Sequence, residues 1–234
     1  MTRGPAGAKD RAGDPFQVVT LTDSPAHERL LEEFYRGLYW EAFSAQPEPL
    51  EVWKRGLRGE LPYRQTIQLV LDGDHIVAGL TYERYPRSNC GIATYGVVAP
   101  RVRRHGLGQW LLADAVAALY AAGVRMVFGE VNDPRLPRAD DPGRAAAWAR
   151  LERYQRWGWR VVAARYVQPA LGPDRARDRG LLLLARPDAA PPPAELDGAI
   201  PRAFVEELYE VTEGGPPDEE IGFPDRVPLI ELTR

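Results

Sequence analysis

Lysine is almost absent from this chain: of its 30 basic residues only Lys9 and Lys54 are lysine, and the rest are arginine. With 33 acidic residues the formal net charge is −3, so no overall positive field draws the chain to nucleic acid. Cysteine is rarer still. The single Cys90 excludes an internal disulfide framework and fits a reducing cytoplasm, and no His/Cys cluster has zinc spacing, so no metal is expected. Long apolar runs are missing too. Stretches such as residues 180–185 fall far short of the ~20 residues that span a bilayer. Residues 1–15 hold no apolar signal core, so neither a membrane nor a secretory route is indicated. Nucleophiles are few. Ser24, Ser44 and Ser88 are the only serines, none in a Gly-x-Ser-x-Gly elbow, and Cys90 has no evident histidine partner, which favours chemistry without a covalent intermediate.

What is present is enough for a core: 234 residues, 44% of them hydrophobic, fit one main domain with appendages. Residues 1–15, rich in Gly, Pro, Ala and charge, read as a disordered tail. Order begins at "FQVVTL", followed by Asp23 and Ser24 as N-cap candidates, Pro25 in a first turn, and Leu30, Leu31, Phe34 and Leu38 at helical spacing to about Ala45. A short helix over Glu51–Leu57 follows. "TIQLVLDGDHIVAGLTYER" reads as a hairpin turned at Asp72-Gly73-Asp74, and Cys90 to Val98 as the next strand. Leu107 to Ala122 is an amphipathic helix ended by Gly123, and "RMVFGEV" must then return parallel to the preceding strand. After a Pro/Arg/Asp-rich insertion at 133–144, Trp148, Leu151, Tyr154 and Trp157 recur on another helix, and "WRVVAARYV" and "RGLLLLARP" supply closing strands. Residues 16–186 thus form an α+β domain with helices on a mixed sheet. Residues 187–200 read as a proline-rich linker, and 201–234 as an extension with an apolar helical stripe, Phe204/Val205/Leu208/Tyr209, and an edge strand in "VPLIEL". That stripe is expected to dock on the main domain or across a dimer.

The chemistry concentrates in "VVAPRVRRHGLGQWLL", residues 97–112. A dinucleotide fingerprint requires a third glycine where Leu111 stands, and a P-loop requires Gly-Lys-Ser/Thr, so both fail. What remains is a strand ending near Pro100, a loop of Arg101, Arg103, Arg104 and His105, and Gly106-Leu107-Gly108-Gln109 opening a helix. Such a turn presents unpaired amides at a helix N-terminus, where an anion such as a pyrophosphate is favoured. Nucleic-acid binding through "RVRRH" is the weaker use, because the cluster is short and lacks interleaved aromatics.

Val98-x-Pro100-x-x-Arg103-x-x-Gly106-Leu107-Gly108 resembles the acyl-CoA-binding motif of GNAT-superfamily N-acetyltransferases, with Arg104 standing where glycine is frequent. The resemblance extends over about Gln65 to Val167, with Asn132 after the next strand and "YQRWGW", Tyr154 to Trp159, at the end of the following helix. It implies a mostly antiparallel central sheet flanked by helices, acetyl-CoA as cosubstrate, and direct acyl transfer to a small-molecule or peptide amine. By the same resemblance Val98, Arg103, Arg104, His105, Gly106, Leu107, Gly108, Gln109 and Asn132 bind the cosubstrate, a backbone N–H near Val98 polarises the carbonyl, and Tyr154 protonates the departing thiolate. An amine must lose a proton to attack. Glu130, which strand alternation puts on the face of Asn132, and Glu83, at a strand end, are the candidate bases; partly solvated strand-end carboxylates are the alternative reading of both. Trp40, Phe43, Trp53 and Tyr63 fall in the region that covers the acceptor end in relatives. A binding or regulatory module of the same fold is the alternative to an enzyme.

Overall fold

The computed structural model describes residues 16–44, 47–136, 141–172, 175–217 and 221–234. The expected N-terminal tail and residues 137–140 of the insertion lie outside the described residues. The chain divides into two compact units. The first comprises the residues up to Glu83 with Thr94–Ala115, the second Arg84–Ala93 with Val116–Arg234.

In the first unit, β1 (Phe16–Thr20) pairs antiparallel with β2 (Arg64–Asp72), from Phe16 opposite Asp72 to Thr20 opposite Gln68. Gly73, at φ 59°, turns β2 into β3 (His75–Tyr85). The sheet continues in the order β1-β2-β3-β4, where β4 is Cys90–Val98. The expected N-cap is present: Ser24 accepts from His27 N at 3.3 Å ahead of α1 (Pro25–Phe34). Beyond it the expected single helix changes pitch. Tyr35–Tyr39 form a π-helical turn before α2 (Trp40–Phe43), and α3 spans Leu50–Leu57. The wider turn accompanies stacking of Tyr35 on Tyr39, ring centroids 5.0 Å apart, and both hydroxyls bond the backbone of Glu48. These helices pack Leu31, Phe34, Tyr39 and Trp53 against Ile67 and Leu69 of β2. Gly79 permits the approach, since a Cβ there would sit 2.5 Å from the Phe34 ring.

In the second unit, β5 (Met126–Asn132) pairs parallel with the start of β4, as its crossover through α4 (Leu107–Ala121) requires. Leu111, Leu112, Ala115 and Leu119 form the buried face of α4, and Gly123 ends it at φ 84°. After β5 comes α5 (Pro142–Arg156), and the strand order continues β5-β7-β6-β9-β8, with β6 at Arg160–Val162, β7 at Leu181–Arg186, β8 at Glu195–Asp197 and β9 at Arg226–Ile230. β7 runs antiparallel to both β5 and β6.

Three elements differ from expectation. "WRVVAARYV" is a strand only over β6, because after Ala163, whose amide still donates to Pro228 O of β9 at 2.9 Å, the chain leaves the sheet and Tyr166 and Gln168 turn to bond Glu130. The tract 187–200 holds β8 and the start of α6 (Ala199–Glu213), so its prolines precede sheet structure. β9 is internal rather than an edge, with β6 on one side and β8 on the other.

The α6 stripe is covered within the second unit. Phe204 stacks on Phe128 at 4.7 Å and meets Tyr85 edge-on at 5.5 Å, while Tyr209 Oη donates to Val167 O at 2.9 Å. Burial of each such side chain is worth ~1.5–3 kcal/mol. Glu207 adds a polar clamp, accepting from Arg87 N (3.0 Å) and Ser88 N (2.6 Å) in the β3–β4 turn.

Candidate active site

The turn after β4 belongs to the first unit. Pro100–Val102 make one 3-10 turn, and Arg104 (φ 78°) and Gly106 (φ 76°) are both left-handed, which brings the chain round sharply into α4. Glycine adopts that conformation freely, whereas Arg104 bears a cost of about 1–2 kcal/mol. Among the described residues the first α4 amide with a protein acceptor is Trp110 N, which donates to Gly106 O at 3.0 Å. The amides of Leu107, Gly108 and Gln109 therefore stand at the positive end of a 15-residue helix with no carbonyl among the described residues to receive them.

Leu107 is buried and pins the turn, while Arg103, Arg104, His105, Gly106 and Gln109 are exposed. Arg103 Nε donates to Val98 O at 3.2 Å, which fixes one edge of its guanidinium and leaves the Nη groups as donors. His105 Nδ1 lies 3.0 Å from Val102 O, and its ring meets Phe16 edge-on at 6.1 Å. A Cβ on Gly108 would lie 3.4 Å from Val98 Cγ2, so the helix start sits directly against the end of β4. The β4–β5 ladder runs from Cys90 opposite Met126 to Ala93 opposite Gly129 and stops, leaving Thr94–Val98 outside it on that edge. The helix-start amides, the guanidinium charge and the strand end beyond the ladder suit a diphosphate joined to an extended amide chain.

Glu83 is also in the first unit and is buried. Burial, reinforced by the charges of Glu83 and Glu48, pushes the neighbouring Tyr63 hydroxyl far above its ordinary range. Sequence reasoning passed over Glu48, which is buried in the α2–α3 connection with its carboxylate on Trp53 Nε1. Its setting between Pro47 and Pro49 reads as a solvated loop, and no periodic signal marks it.

The second unit holds the other three expected residues. Both Glu130 oxygens accept protein hydrogen bonds, one from Tyr166 Oη and one from Gln168 Nε2 at 2.7 Å. Burial raises its pKa, and those two hydrogen bonds oppose the rise. Asn132 is exposed, its Oδ1 accepting from Arg150 Nη1 at 3.0 Å. Tyr154 is partly buried between Trp157 and Trp159, each 5.7 Å away by ring centroid. Desolvation raises its hydroxyl pKa, and the charges of Arg150 and Arg153 work against that. Arg150 therefore acts on both Asn132 and Tyr154. Among the described residues no three His, Cys, Asp or Glu side chains gather as a metal site, and no helix is long and apolar enough to cross a membrane.

Fold and turn together define a class: an α+β protein with a glycine-opened helix N-terminus beside the end of a strand that has left its parallel ladder. Residues 28–140 match the acetyltransferase (GNAT) family. Among solved structures, a GNAT-family protein from Bacteroides thetaiotaomicron is 17% identical, with a TM-score of 0.54, over 74% of this chain and 87% of its own. A Bacillus subtilis acetyltransferase in complex with CoA is 13% identical, with a TM-score of 0.49, over 74% of this chain and 99% of its own. An Elizabethkingia anophelis GNAT-family acetyltransferase with acetyl-CoA bound is 12% identical, also at 0.49, over 74% and 99%. A comparison with curated proteins gives no match. Residues 28–140 are thus similar to the acetyltransferase (GNAT) family, and the likeness to the Bacteroides thetaiotaomicron protein shows that the chain has the fold of that family.

Proposed function

We propose that the protein transfers an acetyl group from acetyl-CoA to the amine of a small molecule or peptide by direct attack. The observation that carries this reading is the row of α4 amides, Leu107 to Gln109, left without acceptors among the described residues and standing beside Arg103 and Arg104. They suit the diphosphate of CoA, with His105 and Gly106 completing the turn, and the stretch of β4 beyond its ladder with β5, Thr94–Val98, suits the amides of its pantetheine arm. Asn132 is assigned to the same arm by resemblance.

The amine lone pair attacks the thioester carbonyl, the carbon–sulfur bond breaks, and the thiolate departs. Tyr154 serves that thiolate as a hydrogen-bond donor. Its raised pKa keeps the hydroxyl protonated, and a thiol pKa near ~8.5 makes full proton transfer unnecessary. Glu83 and Glu130 are the proposed bases; Glu130 would have to exchange one of its two hydrogen bonds for the amine. That occupancy favours, as a second reading, a module that binds acyl-CoA and turns over poorly. A buried lone cysteine and the acyl donor both fit a cytoplasmic location.

A free-thiol release assay with acetyl-CoA against amines, aminoglycosides, amino acids and peptides separates the two. Thiol release that depends on the amine supports the enzyme. Acetyl-CoA binding without turnover across the panel supports the module.

A further inference from the structure

Glu48 is 9% exposed and held by four aromatic residues' worth of apolar surroundings in the first unit: Tyr35, Tyr39, Trp53 and Tyr63 are all buried with it. Its backbone is fixed on both sides, Glu48 N donating to Tyr39 Oη at 2.7 Å and Tyr35 Oη donating to Glu48 O at 2.8 Å. Its carboxylate accepts from Trp53 Nε1, and among the described residues no cation pairs with it. The cations of α3 and its C-cap are committed elsewhere: Lys54 to Glu28 and Glu32, Arg55 to Glu60, and Arg58 to Glu51 and Glu60. A buried carboxylate without a counter-charge is costly, and groups perturbed in this way cluster at ligand-binding and catalytic sites.

The surroundings suit a cation. Tyr39 lies 4.5 Å from Trp53, 5.0 Å from Tyr35 and 5.2 Å from Tyr95 by ring centroid. Ring faces beside a carboxylate attract alkylammonium groups. The cluster is not sealed, since Phe43 and Tyr95 are half-buried at its rim and neighbouring Trp40 is 47% exposed. Tyr95 lies on β4 three residues before Val98, so the cluster is built on the strand that leads into the turn.

We propose that Glu48, with Tyr35, Tyr39 and Trp53, forms a subsite for an alkylammonium group of the acceptor. Only the identification of that cation as the acceptor's rests on acetyl transfer. Burial pushes the Glu48 carboxyl up to about 7, so a bound cation would displace its proton. The titratable groups around it are Tyr35, Tyr39 and Tyr63, with Glu83 and Arg55 acting on Tyr63. Burial raises Tyr39 and Tyr63 well above their ordinary range, so both stay neutral in the working range.

Tetramethylammonium, which cannot be acetylated, tests the subsite on the full chain by tryptophan fluorescence and calorimetry, with neopentanol as a neutral probe of similar size. Wild type should bind tetramethylammonium saturably at about pH 8, at least tenfold more weakly at about pH 5, and at least tenfold more tightly than neopentanol. Glu48→Gln should bind tenfold more weakly at about pH 8 and lose the pH dependence, with its fold checked by thermal melting. Equal affinity for the two probes, no saturation, or pH-independent binding by wild type overturns the proposal whether or not the variant folds. Acetyl-CoA takes no part in these titrations, so a failure of the acetyl-transfer reading would appear separately, as absent thiol release.

Discussion

Raising the pH from about 4.5 to 8 should destabilise the protein through Glu48. Its carboxyl titrates from the usual 4.5 in the unfolded chain to about 7 in the fold, where burial outweighs the hydrogen bond from Trp53. The folded state therefore binds the proton more tightly. The contribution is fully present below about pH 4.5 and is lost as the pH rises through about 7. At 1.36 kcal/mol per pH unit the change amounts to ~3 kcal/mol. Glu48→Gln keeps an acceptor for the Trp53 N–H but has nothing to ionise, so it isolates the effect. Urea denaturation of both proteins at steps across that range should show the variant gaining ~3 kcal/mol on wild type from acid to alkaline pH, with similar m-values. Curves that run parallel would refute the reasoning, because a solvated carboxylate has the same pKa in both states.

Three further outcomes follow from the same geometry. Arg104→Gly should relieve the left-handed strain and raise stability by ~0.5–1 kcal/mol in thermal melts, yet weaken CoA binding several-fold by removing a guanidinium from the turn. Tyr154→Phe should lower kcat towards the low end of the ~10²–10⁴ range for general acids, and an unchanged kcat would assign Tyr154 to packing with Trp157 and Trp159. Glu207→Ala should cost ~3 kcal/mol or more in urea titrations by orphaning the amides of Arg87 and Ser88, whose hydrogen exchange should accelerate, and Glu207→Gln should cost less.

The strand, the glycine turn and α4 were legible because each carries a local signal: an apolar strand, Gly106 where φ is positive, and four-residue spacing of Leu111, Ala115 and Leu119. The parallel return of β5 followed from the length of α4 alone. The stripe on α6 announced that it needed cover, and Phe128 and Tyr85 provide it. Long-range pairings were not legible. Nothing local to "VPLIEL" says that β8 will flank it, and the π-helical turn arises from a Tyr35–Tyr39 stack bonded to Glu48, a residue that reads as loop. The ties of Tyr166 and Gln168 to Glu130 join residues 36 and 38 positions apart, a separation over which periodicity carries no information.

The central claim is that main-chain amides at the start of α4, with Arg103 and Arg104, hold a diphosphate. Calorimetry with CoA and with pantetheine, which lacks that group, tests it most directly. Saturable binding of CoA, at least a hundredfold tighter than pantetheine, is the expected result; equal affinity for both, or no binding of CoA by folded protein, would contradict it.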